Sequence, residues 1–331
     1  MRIAVIGAGA IGSNVGAYLH KSGAEVTLIG RDSQIEAIKN HGLKVSGVRG
    51  EETFQINVDT RLREEFPLVI FATKTQDISD ACCSNYDFLE HSIILTTQNG
   101  VQADNIISGH IDKTKVISSI VMFGATYIKE AEIVFNFEGN WIIGKPFTSN
   151  DMIVEDISKV LAKAFSVIVT DDIVGMKWLK LLINFNNCIP ALVGKSMQET
   201  FSNLDLCRLS IQILKEGLNI VRRAKIDLVS LPDFPVDRIE GLAKMPEDQA
   251  ATIINKTLTG LSKEPLYGSI LQSIMRKRKS EIDFINGEVD VLSKQIGIRA
   301  PLNRRIVDLV NTVEQTGKFF TVDEVKKEFN L

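Results

Sequence analysis

The chain opens with RIAVI at residues 2–6 and runs directly into GAGAIG at residues 7–12, ahead of a segment with helical spacing. The apolar, β-branched run before the glycines favours a buried strand. In a GxGxxG turn the first glycine permits the tight turn, the second lets the backbone approach a pyrophosphate, and the third lets helix and strand pack closely. The sequence therefore predicts a dinucleotide-binding unit whose pyrophosphate sits on the helix N-terminus, held by Gly7, Ala8, Gly9, Ala10, Ile11 and Gly12.

The first half of the chain alternates such strand-like runs with helix-like segments. The runs lie near residues 3–6, 26–29, 68–71, 93–96 and 116–121, with a further one at 167–170. This alternation predicts an α/β fold with a Rossmann-type, doubly wound parallel sheet covered by helices on both faces. Residues 43–58, turning near Arg49-Gly50, and residues 133–143, turning near Gly139, alternate like antiparallel ribbons, and we expect them to extend the sheet.

The spacing of apolar residues along the sequence changes at Asp171-Asp172. Beyond this point apolar residues recur at helical spacing, with prolines between the segments as breakers. The helical segments are predicted at 173–194, 202–226, 247–260, 268–296 and 301–315. The 331 residues suit two domains, predicted as an NADP-binding Rossmann domain over 1–171 and an all-α substrate and catalytic domain over 172–331.

Composition narrows the classes of partner. The chain has 38 Lys+Arg against 41 Asp+Glu, and with Arg276–Lys279 as its single short basic run it gives no reason to expect nucleic acid. No stretch approaches the length of a membrane helix and no signal peptide is evident, so we expect a cytoplasmic protein. The four cysteines form no disulfide framework and no metal-ligand spacing, which predicts reduced thiols and no bound metal. A homodimer is compatible with the sequence.

The end of the second predicted strand reads Ile29-Gly30-Arg31-Asp32. Arg31 comes directly off the strand, where a guanidinium can pair with a 2′-phosphate, and this favours NADP. Asp32 is the rival, because an acidic residue there accepts from a ribose hydroxyl and favours NAD. A plain surface pair between Arg31 and Asp32 is the structural alternative.

Hydride transfer to a carbonyl needs a proton donor near the carbonyl oxygen. All four histidines lie in the first 110 residues, so a lysine whose pKa burial lowers is the better candidate in the helical half. On a helix Asn184 lies about 40° from Lys180 and Asn187 about 20° to the other side, so the three share one face. Such a face suits a hydroxy acid or keto acid, with Lys180 as acid. Lys177 falls on the same face and remains open, as does a buried structural network.

Two polar residues follow the third and fourth strand-like runs. Lys74 comes after Phe71-Ala72-Thr73, and Asn99 precedes Gly100 in Gln98-Asn99-Gly100. Both lie at carboxyl ends of predicted strands, the edge at which open α/β sheets bind ligands.

Taken together, these motifs resemble the ketopantoate reductases (2-dehydropantoate 2-reductases) over nearly the whole chain. The resemblance rests on Gly7–Gly12 with Arg31, on Lys74, on Gln98-Asn99-Gly100, on Trp178-Leu179-Lys180-Leu181 with Asn184, and on Ser280–Gly287. The last of these is read as part of a helix that begins near Ser269. The resemblance implies reduction of ketopantoate to (R)-pantoate by NADPH, a step toward pantothenate and coenzyme A. It also implies a helical domain like the C-terminal domain of 6-phosphogluconate dehydrogenase.

Site roles follow from the same resemblance. It implies that Lys180 is the proton donor and that Glu281 contacts the cofactor and helps position the lysine. Asn184 and Ser269 would hold the hydroxyl and carboxylate end of the substrate. Lys74 would line the cofactor side of the site, and Asn99 both the cofactor and the substrate sides.

One position departs from the pattern of the family. Its better-known members carry a second substrate asparagine eight residues after the lysine, where this chain has Cys188. Asn187, one residue earlier, is the candidate to replace it. The departure leaves two alternatives open, a reductase of another 2-keto acid or imine and a non-catalytic NADP-binding sensor.

Overall fold

A computed structural model describes the whole chain, Met1 to Leu331. The chain divides into two compact units, Met1–Val174 and Gly175–Leu331. The elements of the first unit are β1 (Arg2–Ile6), α1 (Ala10–Lys21), β2 (Glu25–Ile29), α2 (Asp32–His41), β3 (Leu43–Gly47), β4 (Glu52–Phe54), β5 (Asn57–Asp59), β6 (Leu68–Phe71), α3 (Ile78–Asn85), β7 (Ile93–Thr96), α4 (Gln102–Ser108), β8 (Val116–Val121), β9 (Gly124–Lys129), β10 (Glu132–Phe137), β11 (Asn140–Gly144), α5 (Met152–Leu161) and β12 (Ser166–Val169).

The main sheet of this unit has eight strands in the order β12-β11-β8-β7-β6-β1-β2-β5. All neighbouring strands run parallel except β8 and β11, which are antiparallel. Strand residues alternate between two apolar cores, so that Ile3 and Val5 pack on one side and Ala4 and Ile6 on the other. A parallel sheet buried on both faces is confirmed, and its carboxyl ends bring the loops after β1, β2, β6 and β7 to one edge.

The expectation that both ribbons extend this sheet is confirmed for β5 and β11, which join it, and wrong for β3, β4 and β10. The first ribbon does turn between β3 and β4, near Arg49-Gly50, but with β9 and β10 these strands form a separate sheet in the order β4-β3-β10-β9. The second ribbon is no hairpin: β10 stays in the small sheet while β11 crosses into the main one at Gly139. A Cβ at Gly139 would lie 2.4 Å from the carbonyl oxygen of Met122, so this crossing needs glycine.

The small sheet exists because α1 has a second apolar side. Gly12 to Leu19 are all buried, and Tyr18 meets the ring of Phe135 on β10 at 5.5 Å between centroids. Apolar area removed from water stabilises by roughly 25 cal/mol per Å², so covering this side of α1 favours the extra layer. Helix α1 is therefore held between two sheets.

The second unit is entirely helical apart from short turns, as expected. Its helices are α6 (Ile173–Asn184, which begins just before the division), α7 (Cys188–Val193), α8 (Met197–Phe201), α9 (Leu204–Arg223), α10 (Val236–Lys244), α11 (Glu247–Thr259), α12 (Ser269–Met275), α13 (Asn286–Gln295), α14 (Pro301–Thr316) and α15 (Val322–Phe329). None of them combines the length and apolar character that a membrane span requires.

Two predicted helices are interrupted. The first breaks after Asn184 into a 3₁₀ turn over Phe185–Asn187, because Pro190 has no N–H to bond the carbonyl of Asn186. The segment 268–296 breaks after α12. The Ser280–Gly287 motif was expected inside one continuous helix, and this expectation is wrong. Lys277 adopts a left-handed φ of 54°, and the N–H groups of Lys277 and Arg278 cap the carbonyls of Ile274 and Ser273 in a Schellman motif.

The cysteines differ sharply in accessibility. Cys82, Cys188 and Cys207 are fully buried, whereas Cys83 is exposed. Burial raises the pKa of the Cys82 and Cys188 thiols to about 12 and that of Cys207 to about 11. All four are free, as predicted.

We expect a single thiol to react when the native protein is treated with a chromogenic disulfide reagent at neutral pH. Thiolate is the reactive form, and Cys83 is the exposed thiol of the four. Replacing Cys83 with Ser should abolish the fast phase, while unfolding in denaturant should expose the other thiols. A second fast thiol in the native protein would contradict this assignment of burial.

Candidate functional site

The turn after β1 is built from backbone hydrogen bonds. The N–H groups of Gly7 and Ala8 both donate to the carbonyl oxygen of Ile29 at the end of β2, at 2.9 and 3.0 Å. Gly7 has a φ of +115°, a conformation that disfavours any side chain. Helix α1 then starts with Gly9 as its N-cap and no acidic residue in its first turn. Its first N–H groups have no acceptor within the helix, so this end favours an anion.

Gly12 and Gly9 of this turn are glycines for different physical reasons. A Cβ on Gly12 would lie 2.0 Å from the carbonyl oxygen of Gly7, so the packing of α1 on β1 itself requires glycine there. A Cβ on Gly9 would meet no atom within 4 Å. The protein alone does not require Gly9 to be glycine, whereas a pyrophosphate lying on the turn would. The residues of this turn therefore fit a dinucleotide.

Arg31 and Asp32 follow β2 at the same edge. Both are exposed, Arg31 is the extended N-cap of α2, and Asp32 lies in its first turn. A carboxylate in the first turn of a helix is stabilised by the helix dipole, which gives Asp32 a structural reason to be present. No ion pair joins the two side chains, so the plain surface pair weighed as an alternative is not formed.

Lys74 and Asn99 follow β6 and β7. The backbone of Gly7 packs against Ala72 and Thr73, immediately before Lys74. The buried side chain of Gln98 donates through Nε2 to the carbonyl oxygens of Phe71 (3.0 Å) and Thr73 (2.9 Å). One amide thus ties the loop that carries Lys74 to the loop that carries Asn99, and the structure brings both residues to the glycine-turn edge.

The helical unit carries the second group of candidates, on and beside α6. Lys180 is partly buried and lies one turn before Asn184 on the same helix face. Burial, above all, lowers the pKa of Lys180 to about 8; Lys177 lowers it further, and Glu281 raises it. The structure thus brings Lys180 and Glu281 together although 100 residues separate them. A lysine with a pKa near neutrality can give up a proton at physiological pH.

Asn187 and Ser269 form a second contact pair within this unit. A Cβ on Gly268 would lie 2.5 Å from Oδ1 of Asn187, so the asparagine side chain packs against the residue before Ser269. Asn187 is in the 3₁₀ turn rather than on α6, so its predicted angle on a continuous helix is wrong, yet it is still brought beside Ser269. The fully buried Cys188 points elsewhere, with its thiol donating to the carbonyl oxygen of Phe185 at 2.9 Å.

Gln198 is a contributor that the sequence did not reveal. Its Nε2 donates to the carbonyl oxygens of Ser262 (3.1 Å) and Glu264 (2.8 Å), and its Oε1 accepts from the N–H of Leu266 (3.0 Å). These bonds hold the segment that leads into Ser269. A glutamine that bonds backbone more than 60 residues away gives no local sequence signal.

Two family models match the chain almost end to end. The model described as ketopantoate reductase PanE/ApbA matches residues 3–146, and that described as ketopantoate reductase PanE/ApbA C terminal matches residues 172–314. The 2-dehydropantoate 2-reductase of Pyrococcus horikoshii is 30% identical, covering 96% of this chain and 99% of its own length. That of Archaeoglobus fulgidus is 25% identical and covers 95% and 98%.

Solved structures have the same fold. The ternary complex of D-mandelate dehydrogenase with NADH and anilino(oxo)acetate has a TM-score of 0.83 at 20% identity, covering 96% of this chain and 99% of that one. A PanE/ApbA family ketopantoate reductase from Ralstonia eutropha has a TM-score of 0.80 at 22% identity, covering 95% and 99%. The reductase family models and relatives that the chain matches place it among the oxidoreductases. Within that class the chain belongs to the ketopantoate reductase family.

Replacing Gly12 and Gly9 of the turn after β1 with alanine, one at a time, should separate effects on folding from effects on cofactor binding. Gly12→Ala should lower the free energy of unfolding by about 1–3 kcal/mol or more, the usual cost of overpacking, because its Cβ meets the Gly7 carbonyl. Gly9→Ala should leave the thermal midpoint unchanged but weaken binding of a reduced dinucleotide at least about tenfold, since losing one charge-assisted contact costs about 1.5–3 kcal/mol.

Thermal unfolding and dinucleotide fluorescence check both results. Gly241→Ala is the matched control, because its Cβ would also meet nothing within 4 Å but it lies on α10 of the other unit. Unchanged dinucleotide affinity in Gly9→Ala would contradict the assignment of this turn as the pyrophosphate-binding site.

Proposed function

We propose that the protein reduces ketopantoate to (R)-pantoate with NADPH, a step toward pantothenate and coenzyme A. The observation that carries the proposal is the partly buried Lys180, with a pKa of about 8 and Glu281 beside it, in a unit that matches the reductase family model. The names of the relatives at 24–30% identity support the same substrate.

Lys180 is the proton donor of the proposed reaction. A nicotinamide dinucleotide, when bound, would supply the hydride for the C2 carbonyl carbon of the keto acid. The carbonyl π bond breaks toward oxygen, and that oxygen takes a proton from the Nζ ammonium of Lys180, leaving a neutral amine that solvent reprotonates. Glu281 raises the pKa of Lys180 against the effect of burial, which keeps a large fraction of the lysine protonated near pH 7.

Neutral side chains would orient the substrate. Asn184, one turn along α6 from Lys180, and the adjacent pair Asn187 and Ser269 offer amide and hydroxyl groups that donate and accept. Asn99, after β7, stays a substrate-binding residue predicted from the sequence. In this proposal Asn187 replaces the asparagine that Cys188 displaces, because the buried Cys188 thiol already donates to the carbonyl oxygen of Phe185 in the 3₁₀ turn.

Arg31 supports NADPH as the dinucleotide. Its guanidinium is exposed at the end of β2 with no ion pair to Asp32, and a planar fork of donors suits a 2′-phosphate. Lys74, on the loop after β6 at the other side of β1 and its glycine turn, would add a second cation on the cofactor side. The D-mandelate dehydrogenase complex holds NADH, which makes the choice of dinucleotide worth testing directly.

A second candidate is reduction of a different 2-keto acid or of an imine on the same scaffold. Cys188 in place of the usual asparagine is the observation that favours it. The similarity of fold to D-mandelate dehydrogenase shows that this architecture also carries a dehydrogenase of an aromatic hydroxy acid. A non-catalytic sensor is not supported, since the chain belongs to a family of oxidoreductases.

The proposal is tested by following oxidation of NADPH and of NADH with ketopantoate and with a panel of branched and aromatic 2-keto acids. We expect fast turnover with NADPH and ketopantoate. Arg31→Ala should raise KM for NADPH about tenfold or more, the loss of one charge-assisted contact, and leave KM for NADH nearly unchanged. Turnover with other keto acids alone would favour the second candidate, and equal KM changes for both dinucleotides would remove the role of Arg31.

Lys180→Ala should lower kcat for reduction at least about 100-fold, as expected for a lost general acid, while reduced dinucleotide still binds. In the native enzyme kcat/KM for reduction should fall as pH rises through about 8, because Lys180 then loses the proton that it must donate. Lys177 and Glu281 are the charged groups that act on it.

Lys180→Arg separates proton donation from charge alone, because a guanidinium keeps the charge but does not release its proton. It should be as slow as the alanine variant. Lys256→Ala, on the exposed side of α11, is the matched control and should keep normal turnover. A Lys180 variant with near-normal kcat would contradict the proposed role.

A further inference from the structure

The segment between α11 and α12 has no regular secondary structure and leads directly into Ser269. Its apolar side chains are poorly buried: Leu261, Leu266 and Tyr267 are exposed by 50%, 40% and 41%. Apolar groups that stay in water contribute little to stability, so hydrogen bonds of the backbone, rather than a core, must set the path of this segment. The position of Ser269 therefore depends on the groups to which that backbone is bonded.

One side chain, that of Gln198 on α8, makes three of these bonds. Its Nε2 donates to the carbonyl oxygens of Ser262 and Glu264, at 3.1 and 2.8 Å, and its Oε1 accepts from the N–H of Leu266 at 3.0 Å. A side-chain amide has two N–H donors and one carbonyl oxygen. Both donors of Gln198 are thus used within the protein, which leaves neither to donate to a substrate.

Helix α8, which carries Gln198, is capped and packed at its own N-terminus. The Oγ of Ser196 accepts from the N–H of Glu199 at 3.2 Å, and the Glu199 carboxylate accepts from the N–H of Ser196 at 3.1 Å, which is a capping box. Met197 is buried, and its N–H donates to the carbonyl oxygen of Leu266 at 2.8 Å. Both backbone groups of Leu266 are therefore bonded to the first turn of α8.

The path from Leu266 to Ser269 is short. Two residues lie between them, so the Cα atoms are at most about 11 Å apart. The second of these residues, Gly268, accepts the first hydrogen bond of α12 from the N–H of Gln272 and packs so closely on Asn187 that a Cβ would lie 2.5 Å from its Oδ1. A displacement at Leu266 is therefore passed to Ser269 and to its place beside Asn187.

We propose that Gln198 is a positioning residue that fixes Ser269 for substrate binding by holding the segment before α12. The inference rests on the proposed function and adds to it the residue that keeps Ser269 in place. Its three bonds do not involve α6, which carries Lys180, so proton donation should continue without them. An interaction lost equally from the bound substrate and from the transition state raises KM and leaves kcat unchanged.

Two replacements of Gln198 test this role in steady-state kinetics with the keto acid that the wild-type enzyme reduces. Gln198→Glu keeps the size of the side chain but turns an oxygen toward the two carbonyls, and Gln198→Met keeps the length and removes all three bonds. Each should raise KM for the keto acid at least about tenfold, the loss of one charge-assisted hydrogen bond. We expect kcat and KM for NADPH to change less than about twofold. Gln295→Glu, exposed at the end of α13, is the matched control.

A double-variant cycle separates positioning from direct substrate contact. If Gln198 acts through Ser269, Gln198→Met should raise KM at least about tenfold in the wild-type background and less than about threefold in Ser269→Ala. Equal increases in the two backgrounds would overturn the proposal, because Gln198 would then act independently of Ser269. An unchanged KM in a folded Gln198→Met variant would also overturn it, as would a fall in kcat as large as the rise in KM.

Amide hydrogen exchange of the wild-type protein gives a measure that needs no turnover. The N–H of Leu266 should exchange at least about tenfold more slowly than that of Lys263 in the same segment, because it is bonded to Gln198. Equal exchange rates, corrected for local sequence, would contradict the holding role. If neither variant folds, Gln198→Asn, one methylene shorter, replaces them. Failure of the proposed function is distinct, since the wild-type enzyme would then reduce no keto acid of the panel.

Discussion

The close packing of α1 on the end of β1 is the constraint on which the first unit depends. Gly12 meets the carbonyl of Gly7 at a distance that leaves no room for a side chain, and this contact fixes where the helix starts. Its N–H groups are thereby aimed beyond the sheet edge. The small sheet then becomes necessary, because a helix packed so closely on one sheet still carries Tyr18 and its apolar neighbours on the other side.

The helical unit holds ionisable groups in an apolar environment. Helix α6 buries Trp178, Leu179, Leu181 and Leu182 around its lysines, and this desolvation is the main cause of the lowered pKa of Lys180. Glu281 reaches the same region from an irregular segment, because Lys277 ends α12 in a Schellman motif. If α12 continued without a break, Glu281 would lie further along the axis of that helix, because each helical residue advances 1.5 Å.

The sequence predicted the fold where the signal was local. The strand, glycine turn and helix at residues 2–21, the strands of the main sheet and the helical second half are confirmed, and so is the family. The small sheet was missed because β3 and β10 pair over nearly 90 residues, and alternation cannot say which sheet a ribbon joins. The break after Met275 was hidden because Lys277 takes a conformation for which glycine is the usual signal.

The site was predictable to a similar degree. Helical spacing selected Lys180 and the family resemblance implied Glu281, and the structure brings these two residues together. Nothing in the sequence pointed to the supporting amides of Gln98 and Gln198. The roles of these residues in binding and catalysis stay predictions.

The amide of Gln98 has a thermodynamic consequence. Because one side chain bonds the carbonyls of Phe71 and Thr73 while Asn99 follows it directly in the chain, Lys74 and Asn99 stand on loops that share this support. Residues that share a partner do not contribute independently to binding. The free energies lost on replacing Lys74 and Asn99 singly should therefore not sum to the loss in the double variant, and the difference measures how firmly the two loops act as one recognition surface.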